Sequence, residues 1–284
     1  MPTYTTFDYA VADHVATITL NQPQKRNAMS RAFWEEMKQV FSAIGEDPSV
    51  RAVVIASTGP HFTAGIDLAL LAEVMTVSAG LEESRKRERL RRMVLEFQES
   101  FNVIDASRVP VLVAIQGGCI GGGIDMTTAC DMRYCTADAF FLVKEIEVGM
   151  TADVGTLQRL PRLIPDGLAR ELCYTGRRMA ADEAKACGLV NAVYPDHATM
   201  LEQVTLIAKR IAAHSPLAVT GTKEMLNYGR DHTIADGLNY IATWNAGMLL
   251  SEDLMKSAKA TQSKETPAFD ELAVGAAAGS VDAV

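Results

Sequence analysis

The sequence predicts an α/β domain followed by a helical region, and three observations indicate this. Over about the first 195 residues, short apolar runs typical of buried strands alternate with segments of helical periodicity. After residue 195 the periodicity is helical. The chain has 284 residues, 48% of them hydrophobic, which is enough for a large core without disulfide or metal support. We expect a core over residues 1–195, a helical region over 196–263 and a mobile tail over 264–284.

The core opens with two strands, Tyr4–Ala10 and His14–Leu20, because both stretches alternate and are rich in Thr, Val and Ile. A turn around Asp13 joins them. The next segment has helical periodicity, with Ser30 as the N-cap of a helix over Ser30–Ile44. The later core elements are a helix over Asp67–Met75 and four short buried strands: Arg51–Ser57, Pro110–Gln116, Asp131–Cys135 and Phe140–Val143.

A charge run over Glu82–Met93 (EESRKRERLRRM) predicts an exposed helix with Glu–Arg pairs. A contact for phosphates or RNA is the alternative. The interleaved acids Glu82, Glu83 and Glu88 weaken that alternative.

Successive helices follow the core, with Pro216 and Gly229 between them. They are predicted over Thr199–Ala213, Leu217–Tyr228, Ile234–Leu249 and Glu252–Gln262. The last stretch, Lys264–Val284, is rich in Ala, Gly and Ser and has no periodicity, which is typical of a mobile tail.

Composition excludes several classes of function. A net charge of −8 argues against nucleic-acid binding over the whole surface. The five cysteines form no C-x-x-C pair and the histidines have no metal-binding spacing, so we expect buried free thiols in a reducing compartment and no metal site. No apolar stretch reaches the length of a membrane span, and residues 1–20 lack the pattern of a signal or transit peptide. We expect a cytoplasmic protein.

Two glycine-bearing segments each follow a predicted strand. They are His61–Leu68 (HFTAGIDL) and Ile115–Asp125 (IQGGCIGGGID). A glycine-rich entry to a helix exposes N–H groups at the positive end of the helix dipole, where a phosphate or an oxyanion can bind. The spacing matches neither a Rossmann nor a P-loop motif, so a tight turn with close helix–strand packing stays an equal alternative.

Two acids stand out after the strand Phe140–Val143. Glu145 follows directly on apolar residues, so we expect its carboxylate to be partly withdrawn from water. Asp153 opens the next helical segment, where a catalytic role and an N-cap of a helix over Val154–Leu160 are equally compatible with the sequence. We interpret Glu147 as solvated or ion-paired.

Taken together, these segments resemble the crotonase (enoyl-CoA hydratase/isomerase) superfamily over roughly residues 5–260. The resemblance is carried in order by Asn21-Gln-Pro-x-x-x-Asn27-Ala28, Ala64-Gly65-Ile66-Asp67, Gly121-Gly122-Gly123-Ile124-Asp125 and Glu145. It implies a spiral of ββα units and a C-terminal helical region that builds trimers, usually paired into hexamers.

Within that superfamily, the stretch Ile115–Pro161 and the later Ala242–Asn245 (ATWN) most resemble the Δ3,5-Δ2,4-dienoyl-CoA isomerases. The resemblance implies three acids in the site, Asp125, Glu145 and Asp153, and an oxyanion hole from the backbone N–H groups of Ile66 and Gly122. It implies coenzyme A and substrate contacts from Lys25, Arg26, Ala28, Ala64, Asp67, Leu68, Ile120 and Gly121. For Lys25 and Arg26 an ordinary surface role stays an equal alternative. Lys223 is a weaker candidate for the phosphates, which it could reach in a neighbouring subunit.

The implied reaction explains the need for two acids. Removing a C2 proton of a thioester gives an enolate, which two N–H donors stabilise by about 3–4 kcal/mol each. In a 3,5-diene the proton returns at C6, roughly 5 Å from C2 by four bonds of about 1.5 Å. We expect Glu145 at C2 and Asp153 at C6, although the reverse fits the sequence equally. Asp125 would support Glu145, and paired carboxylates would push their pKa values apart.

Two other functions remain open from the sequence. The first is an enoyl-CoA hydratase, with Asp125 and Glu145 gripping a water. The second is a non-catalytic RNA-binding or scaffold homologue, for which the arginine-rich run is the support. For the favoured isomerase no cofactor is expected, since coenzyme A is part of the substrate. The expected partners are an acyl-CoA thioester and two or five further copies of the chain, without nucleic acid or membrane. The resemblance associates the chain with fatty-acid β-oxidation and leaves the acyl-chain length open.

Overall fold

The computed structural model describes residues 3–76 and 80–273. Its strands are β1 (Phe7–Ala12), β2 (Val15–Leu20), β3 (Ala52–Ser57), β4 (Val111–Ile115), β5 (Gly118–Ile120), β6 (Met132–Thr136), β7 (Phe140–Leu142), β8 (Met179–Ala180) and β9 (Ala192–Tyr194). Its helices are α1 (Arg31–Glu46), α2 (Leu68–Thr76), α3 (Glu83–Asp105), α4 (Gly122–Thr128), α5 (Thr156–Arg159), α6 (Asp166–Thr175), α7 (Ala181–Ala186), α8 (His197–Ala212), α9 (Pro216–Tyr228), α10 (Ile234–Met248) and α11 (Glu252–Ser263). The elements predicted from the sequence are present, with ends displaced by at most three residues, except that the helix of the charge run continues beyond Met93 to Asp105.

The strands form two sheets. The larger has the order β1-β2-β3-β4-β6-β9, and all its pairs are parallel except β1 with β2. The smaller has the order β5-β7-β8. In the units β4-β5-α4 and β6-β7-α5 the first strand joins the larger sheet and the second joins the smaller one. The predicted α/β class and the spiral of strand–strand–helix units are therefore confirmed.

The larger sheet is buried on both faces. In β3, Val53 and Ile55 point into a core shared with α1 and α3, whereas Val54 on the opposite face packs against α8. Helix α8 presents Met200, Val204, Ala208 and Ala212, which recur every four residues, to that second face. Burial on both faces explains why the central strands read as continuous apolar runs.

The charge run forms the first half of α3, as predicted. Its pairs join Arg85 with Glu82, Arg87 with Glu83 and Arg92 with Glu88, and all six side chains are exposed. The second half of α3 is different, because Phe101 and Ile104 enter the core there. One helix thus has a solvated half and a packed half.

The C-terminal helices leave apolar side chains in water. No residue of α10 is buried, and within the described part of the chain Ile234 is 84% exposed and Leu238 64% exposed. Helix α10 rests on α9, where the ring of Trp244 covers Gly221 so closely that an added Cβ would lie 2.7 Å from Nε1. Tyr240 adds a contact with the ring of Tyr228 and a hydrogen bond to Glu224, whereas Ile234 and Leu238 are left largely uncovered by the described residues.

The first ten residues of the predicted mobile tail, 264–273, lie against the core. Arg51 donates a hydrogen bond of 2.8 Å to the carbonyl of Phe269, and Leu272 is buried. These contacts differ from the predicted mobile tail. The Ala- and Gly-rich composition of the tail gives no indication that Arg51, just before β3, would bind its backbone. The remainder of the predicted tail, 274–284, lies outside the described residues. Among the helices described, none has the length and apolarity needed to cross a membrane.

Candidate active site

The two glycine-bearing loops lie side by side. The loop after β3 pairs with β5, since Thr63 bridges Cys119 and the N–H of Ile120 donates to the carbonyl of Thr63 over 3.2 Å. Gly65 has a φ of +83°, and a Cβ there would lie 2.7 Å from the carbonyl oxygen of Ile120 and 3.3 Å from the nitrogen of Gly122. Only glycine permits this approach. It holds the backbone next to Ile66 against the start of α4.

Two backbone N–H groups at this junction have no protein acceptor. Met29 hydrogen-bonds to the residues on either side of Ile66, donating to the carbonyl of Gly65 and accepting from the N–H of Asp67. Across residues 3–76 and 80–273, neither Ile66 nor Gly122 donates its N–H to another protein atom. Buried N–H groups are rarely left unpaired. These two are therefore available to a ligand oxygen, as an oxyanion hole requires.

The ring of Trp34 closes one side of this junction. A Cβ on Gly122 would lie 3.8 Å from Cη2 of Trp34 and 2.9 Å from the sulfur of Met29. The indole is itself fixed, because its Nε1–H donates to the carbonyl of Met29 over 3.2 Å. The start of α4 is thus packed tightly against Met29 and the first turn of α1.

Glu145 lies directly beside the second glycine loop. It begins a 3-10 turn over Glu145–Val148 that follows β7 and ends at the left-handed Gly149. A Cβ on Gly121 would lie 3.2 Å from Oε1 of Glu145. The other carboxylate oxygen, Oε2, is buried and has no hydrogen-bond partner among the described residues. A buried carboxylate oxygen without a partner is costly and marks a place for a proton or a ligand.

Glu147 points elsewhere, because the chain turns after β7 and does not continue as a strand. It pairs with Lys144, as predicted for an acid outside the site. The 3-10 turn thus separates two carboxylates that a continued strand would have placed on one face.

Asp125 is the most buried of the three acids. It sits on α4, its side chain is enclosed, and the residue is 1% exposed. Its Oδ1 accepts the N–H of Thr156 over 2.6 Å. This bond joins α4 to the first residue of α5 and fixes the direction of the Asp125 carboxylate.

Asp153 is half-buried and is not a helix cap. Helix α5 starts at Thr156, its N-cap is Gly155, and no side chain caps it. The N-cap interpretation is therefore wrong, because the φ of +134° at Gly155 turns the chain just before the helix begins. The carbonyl of Asp153 accepts a hydrogen bond of 2.7 Å from Nε2 of Gln98 on α3. Among the described residues, no other residue donates a hydrogen bond to the Asp153 carboxylate, which interacts with its own backbone.

The pKa values of the three acids indicate a site that favours bound protons. Burial raises the pKa of Glu145 to about 7, and the charges of Asp125 and Asp153 add to the rise. Burial also raises the pKa of Asp125 to about 6, while its bond to Thr156 opposes the rise. The pKa of Asp153 is raised by burial. These carboxyls are close enough to interact, so ionising one disfavours the next, as expected from the sequence.

Several of the residues expected to bind coenzyme A lie in or next to the two glycine loops. Lys25 and Arg26 are exposed, and neither forms an ion pair with a described residue. Arg26 has a φ of +52°, and its carbonyl accepts the N–H of Ala64, which ties the early loop to the first glycine loop. Ala28, Ala64 and Ile120 are half-buried there, and Leu68 is 76% exposed.

Asp67 and Lys223 have structural partners. Oδ1 of Asp67 accepts the N–H of Ala69 at the start of α2. Lys223 is buried, pairs with Asp131 over 2.8 Å and donates to the carbonyl of Val109. The weaker prediction that Lys223 binds phosphates is wrong, because its ammonium is already neutralised inside the chain.

Sequence reasoning gave no role to two side chains that hold the site together. Asn27 is buried, donates to the carbonyls of Thr58 and His61, and accepts the N–H of Gln22. A polar residue in a turn at positive φ was its available signal. Gln98 had no signal, because its partner Asp153 is 55 residues away. In the part of the chain that the structure describes, no three His, Cys, Asp or Glu side chains gather as a metal site.

Comparison with known proteins yields one family and many relatives. A family model described as enoyl-CoA hydratase/isomerase matches residues 11–271. The chain is 50% identical over 254 residues to a protein of Pongo abelii named mitochondrial Δ(3,5)-Δ(2,4)-dienoyl-CoA isomerase, covering 89% of this chain and 77% of that one. The corresponding peroxisomal protein of Arabidopsis thaliana is 42% identical, with 90% and 92% covered. The crystal structure of an enoyl-CoA hydratase from Bacillus anthracis superposes with a TM-score of 0.83 at 32% identity, with 93% and 99% covered.

Proposed function

Because this chain belongs to the enoyl-CoA hydratase/isomerase family, we propose that its site converts 3,5-dienoyl-CoA to 2,4-dienoyl-CoA. The observation that carries the proposal is the pair of acids Glu145 and Asp153, whose pKa values are both raised and whose charges interact, with Glu145 beside the glycine loop that carries the N–H of Gly122. Relatives at 42–50% identity bear the name of this reaction. The isomerase is thus supported by geometry and by similarity.

The first step is removal of a proton from C2. The carboxylate of Glu145 takes the proton, and the electrons of the C2–H bond move toward the thioester oxygen. The N–H groups of Ile66 and Gly122 donate to that oxygen as it becomes negative. A proton on the Oε2 side of Glu145 would relieve an oxygen that lacks a partner in the free protein.

The second step is protonation of C6. The carboxyl of Asp153 gives up its proton, the double bonds settle at C2 and C4, and the thioester carbonyl reforms. Glu145 then holds one proton more and Asp153 one fewer than at the start, so exchange with solvent resets both. The pKa of about 7 suits Glu145 to this exchange, since the group gains and loses a proton near neutral pH, and the raised pKa of Asp153 favours the protonated form that the second step needs. Asp125 supports Glu145 and does not contact the substrate.

A hydratase would use Asp125 and Glu145 to hold a water. Two observations argue against this use: the N–H of Thr156 donates to the Asp125 carboxylate, and Asp125 is almost completely buried. The Asp125 carboxylate therefore has little freedom to reach a water beside Glu145. The proposal needs no cofactor, because coenzyme A arrives with the substrate. Its phosphates would meet Lys25 and Arg26.

The proposed activity is tested with a panel of 3,5-dienoyl-, 2-enoyl- and 3-enoyl-CoA thioesters. We expect the ultraviolet absorbance of a conjugated 2,4-dienoyl thioester to appear from the first and slow turnover of the others. Asp153→Asn should lower the rate on the diene by about 10²–10³-fold, since it removes the proton donor at C6. The exposed Asp138→Asn serves as a control. Full activity of Asp153→Asn would exclude the two-acid mechanism, and faster hydration of crotonyl-CoA would favour the hydratase.

We also propose that the chain assembles through its C-terminal helices into a trimer or a dimer of trimers. The exposed apolar side chains of α10 support this, because a contiguous apolar surface usually marks an interface. Light scattering of the purified protein should give three or six times the mass of one chain. A monomer at micromolar concentration would contradict it.

The cytoplasmic location expected from the sequence stays a prediction. The Pongo abelii relative is named mitochondrial and the Arabidopsis thaliana relative peroxisomal. A role in fatty-acid β-oxidation is the pathway that the proposed reaction fits.

A further inference from the structure

The packed half of α3 presents one polar face to the segment that carries Asp153. Gln98, Asn102 and Asp105 are spaced by four and three residues, so they lie on one side of the helix. Gln98 donates to the carbonyl of Asp153 over 2.7 Å. Oδ1 of Asn102 accepts a hydrogen bond of 2.8 Å from Nη2 of Arg159, and Oδ2 of Asp105 lies 3.7 Å from Nε of Arg159. The helix thus holds both ends of the segment 153–159.

This half of α3 is a firm support. The ring of Trp34 on α1 lies 4.8 Å from that of Phe97 and 4.9 Å from that of Phe101, measured between centroids. Ser100 adds a hydrogen bond of 2.8 Å to the carbonyl of Trp34. Gln98 therefore donates from a helix that is fixed to the core on the neighbouring side.

The neighbours of Asp153, Ala152 and Val154, pack in or against the core, whereas the Asp153 peptide itself depends on hydrogen bonding for its orientation. Asp153 belongs to neither a helix nor a strand. Gly155, at a φ of +134°, lets the chain turn, and the guanidinium of Arg159 packs so closely on it that a Cβ would overlap. The next fixed point is the N–H of Thr156, which is bound to Asp125. Among the described residues, Gln98 is the one that donates a hydrogen bond to the carbonyl of Asp153, and this bond helps to set the peptide plane after Asp153.

We infer that Gln98 is a positioning residue for the isomerisation: it orients the Asp153 carboxyl toward C6 by fixing the carbonyl of the same residue. The inference rests on the proposed function. A peptide plane that rotates moves the side chain before it, and a misplacement of about 1 Å costs on the order of 10²-fold in rate. Glu145, on a separate turn after β7, is untouched by Gln98. Loss of Gln98 should therefore disable one end of the proton shift and spare the other.

The test separates the two ends by isotope exchange. Gln98→Met keeps the length of the side chain and removes the donor. With a 3,5-dienoyl-CoA in D2O, mass spectrometry follows deuterium entering C2, which requires Glu145 alone, and absorbance follows the 2,4-diene, which requires Asp153 as well. We expect kcat for isomerisation to fall about 10–100-fold with KM within twofold and C2 exchange within twofold. Asp153→Asn should show the same pattern more strongly, and the exposed Glu96→Gln on the same helix should show neither change.

Each outcome decides the inference. If the rates of C2 exchange and of isomerisation fall together in Gln98→Met, Gln98 has only a structural role and the inference is wrong. A ratio of the two rates that equals the wild-type ratio has the same meaning. If Gln98→Met does not fold, Gln98→Glu at pH 8 replaces it, since an ionised carboxylate offers no donor to the carbonyl. A wild-type protein that exchanges C2 protons but forms no 2,4-diene would overturn the proposed function and this inference with it. If the wild type isomerises the diene and Gln98→Met has the same ratio of C2 exchange to isomerisation as the wild type, the inference alone is overturned.

Discussion

The acidic centre and helix α10 invert the usual distribution of residues in opposite ways. At the centre, Asp125, Glu145 and Asp153 are withdrawn from water with their pKa values raised. On α10, Ile234 and Leu238 remain in water. Both arrangements cost free energy in an isolated chain. The comparison teaches that a functional site can be sought where the burial of a side chain does not match its polarity. Buried acids indicate a site for chemistry, whereas exposed apolar side chains indicate a surface for the proposed assembly.

The largest expected effect breaks the acidic side of the comparison. Glu145→Gln keeps the shape and removes the base, so turnover of a 3,5-dienoyl-CoA should fall by about 10³–10⁴-fold while the free energy of unfolding is unchanged or higher. Absorbance assays and chemical denaturation measure both. Glu147→Gln is the matched control, because that acid pairs with Lys144 outside the centre. A fall in activity that tracks a fall in stability would remove Glu145 from the chemistry.

A smaller effect is expected from separating the two glycine loops. Gly65→Ala places a Cβ 2.7 Å from the carbonyl oxygen of Ile120 at a φ that alanine disfavours, so the N–H groups of Ile66 and Gly122 should move apart. Loss of one aligned donor predicts a decrease in kcat of about 10²–10³-fold. Gly237→Ala on α10 is the control, since a Cβ there meets no atom within 4 Å. Equal activities of the two variants would argue against an oxyanion hole at this junction.

The pH dependence gives a smaller effect that sharpens the account of the acids. Glu145 must be ionised to accept a proton, and its pKa of about 7 predicts that kcat/KM rises with pH on the acid side of neutrality, with about a tenth of the Glu145 carboxyls ionised at pH 6. Since Asp153 must hold a proton to protonate C6, kcat/KM should fall again on the alkaline side. The charge of Asp125 raises this pKa. Asp125→Asn should therefore move the acid limb to lower pH, while its amide oxygen still accepts the N–H of Thr156. A profile between pH 5 and 9 that is flat, or that shifts the other way, would contradict the coupling.

The smallest effect belongs to α10. Leu238 is already 64% exposed, so Leu238→Gln should change the stability of the monomer by less than about 0.5 kcal/mol. Its effect should appear in the association constant, measured by sedimentation over a dilution series. A large loss of monomer stability would show that the side chain serves the fold of a single chain.

The sequence predicted most of the helices and strands, because their patterns are periodic, and few of the contacts between residues that are distant in the chain. Strands buried on both faces are recognisable as apolar runs, and the glycines at 65 and 121–123 indicated close backbone approach before any coordinates. The role of Asp153 stayed undecided, because the start of α5 depends on the turn at Gly155. The sequence around Lys223 is compatible with a phosphate ligand, whereas in the structure Lys223 donates to Asp131, which is 92 residues away. Gln98 is invisible for the same reason: a contact between distant segments leaves no local pattern.

The two tryptophans of the chain lie one in each of the two regions compared above. Trp34 borders Gly122 at the glycine loops, and Trp244 covers Gly221 between α9 and α10. Because Trp34 is buried and Trp244 is half-exposed, their fluorescence should differ in wavelength and in access to quenchers. Trp244→Phe would leave the emission of Trp34, which should respond to a ligand bound beside Gly122, and Trp34→Phe would leave the emission of Trp244, which should respond to the proposed assembly through α10. The protein thus carries its own optical probe for each event.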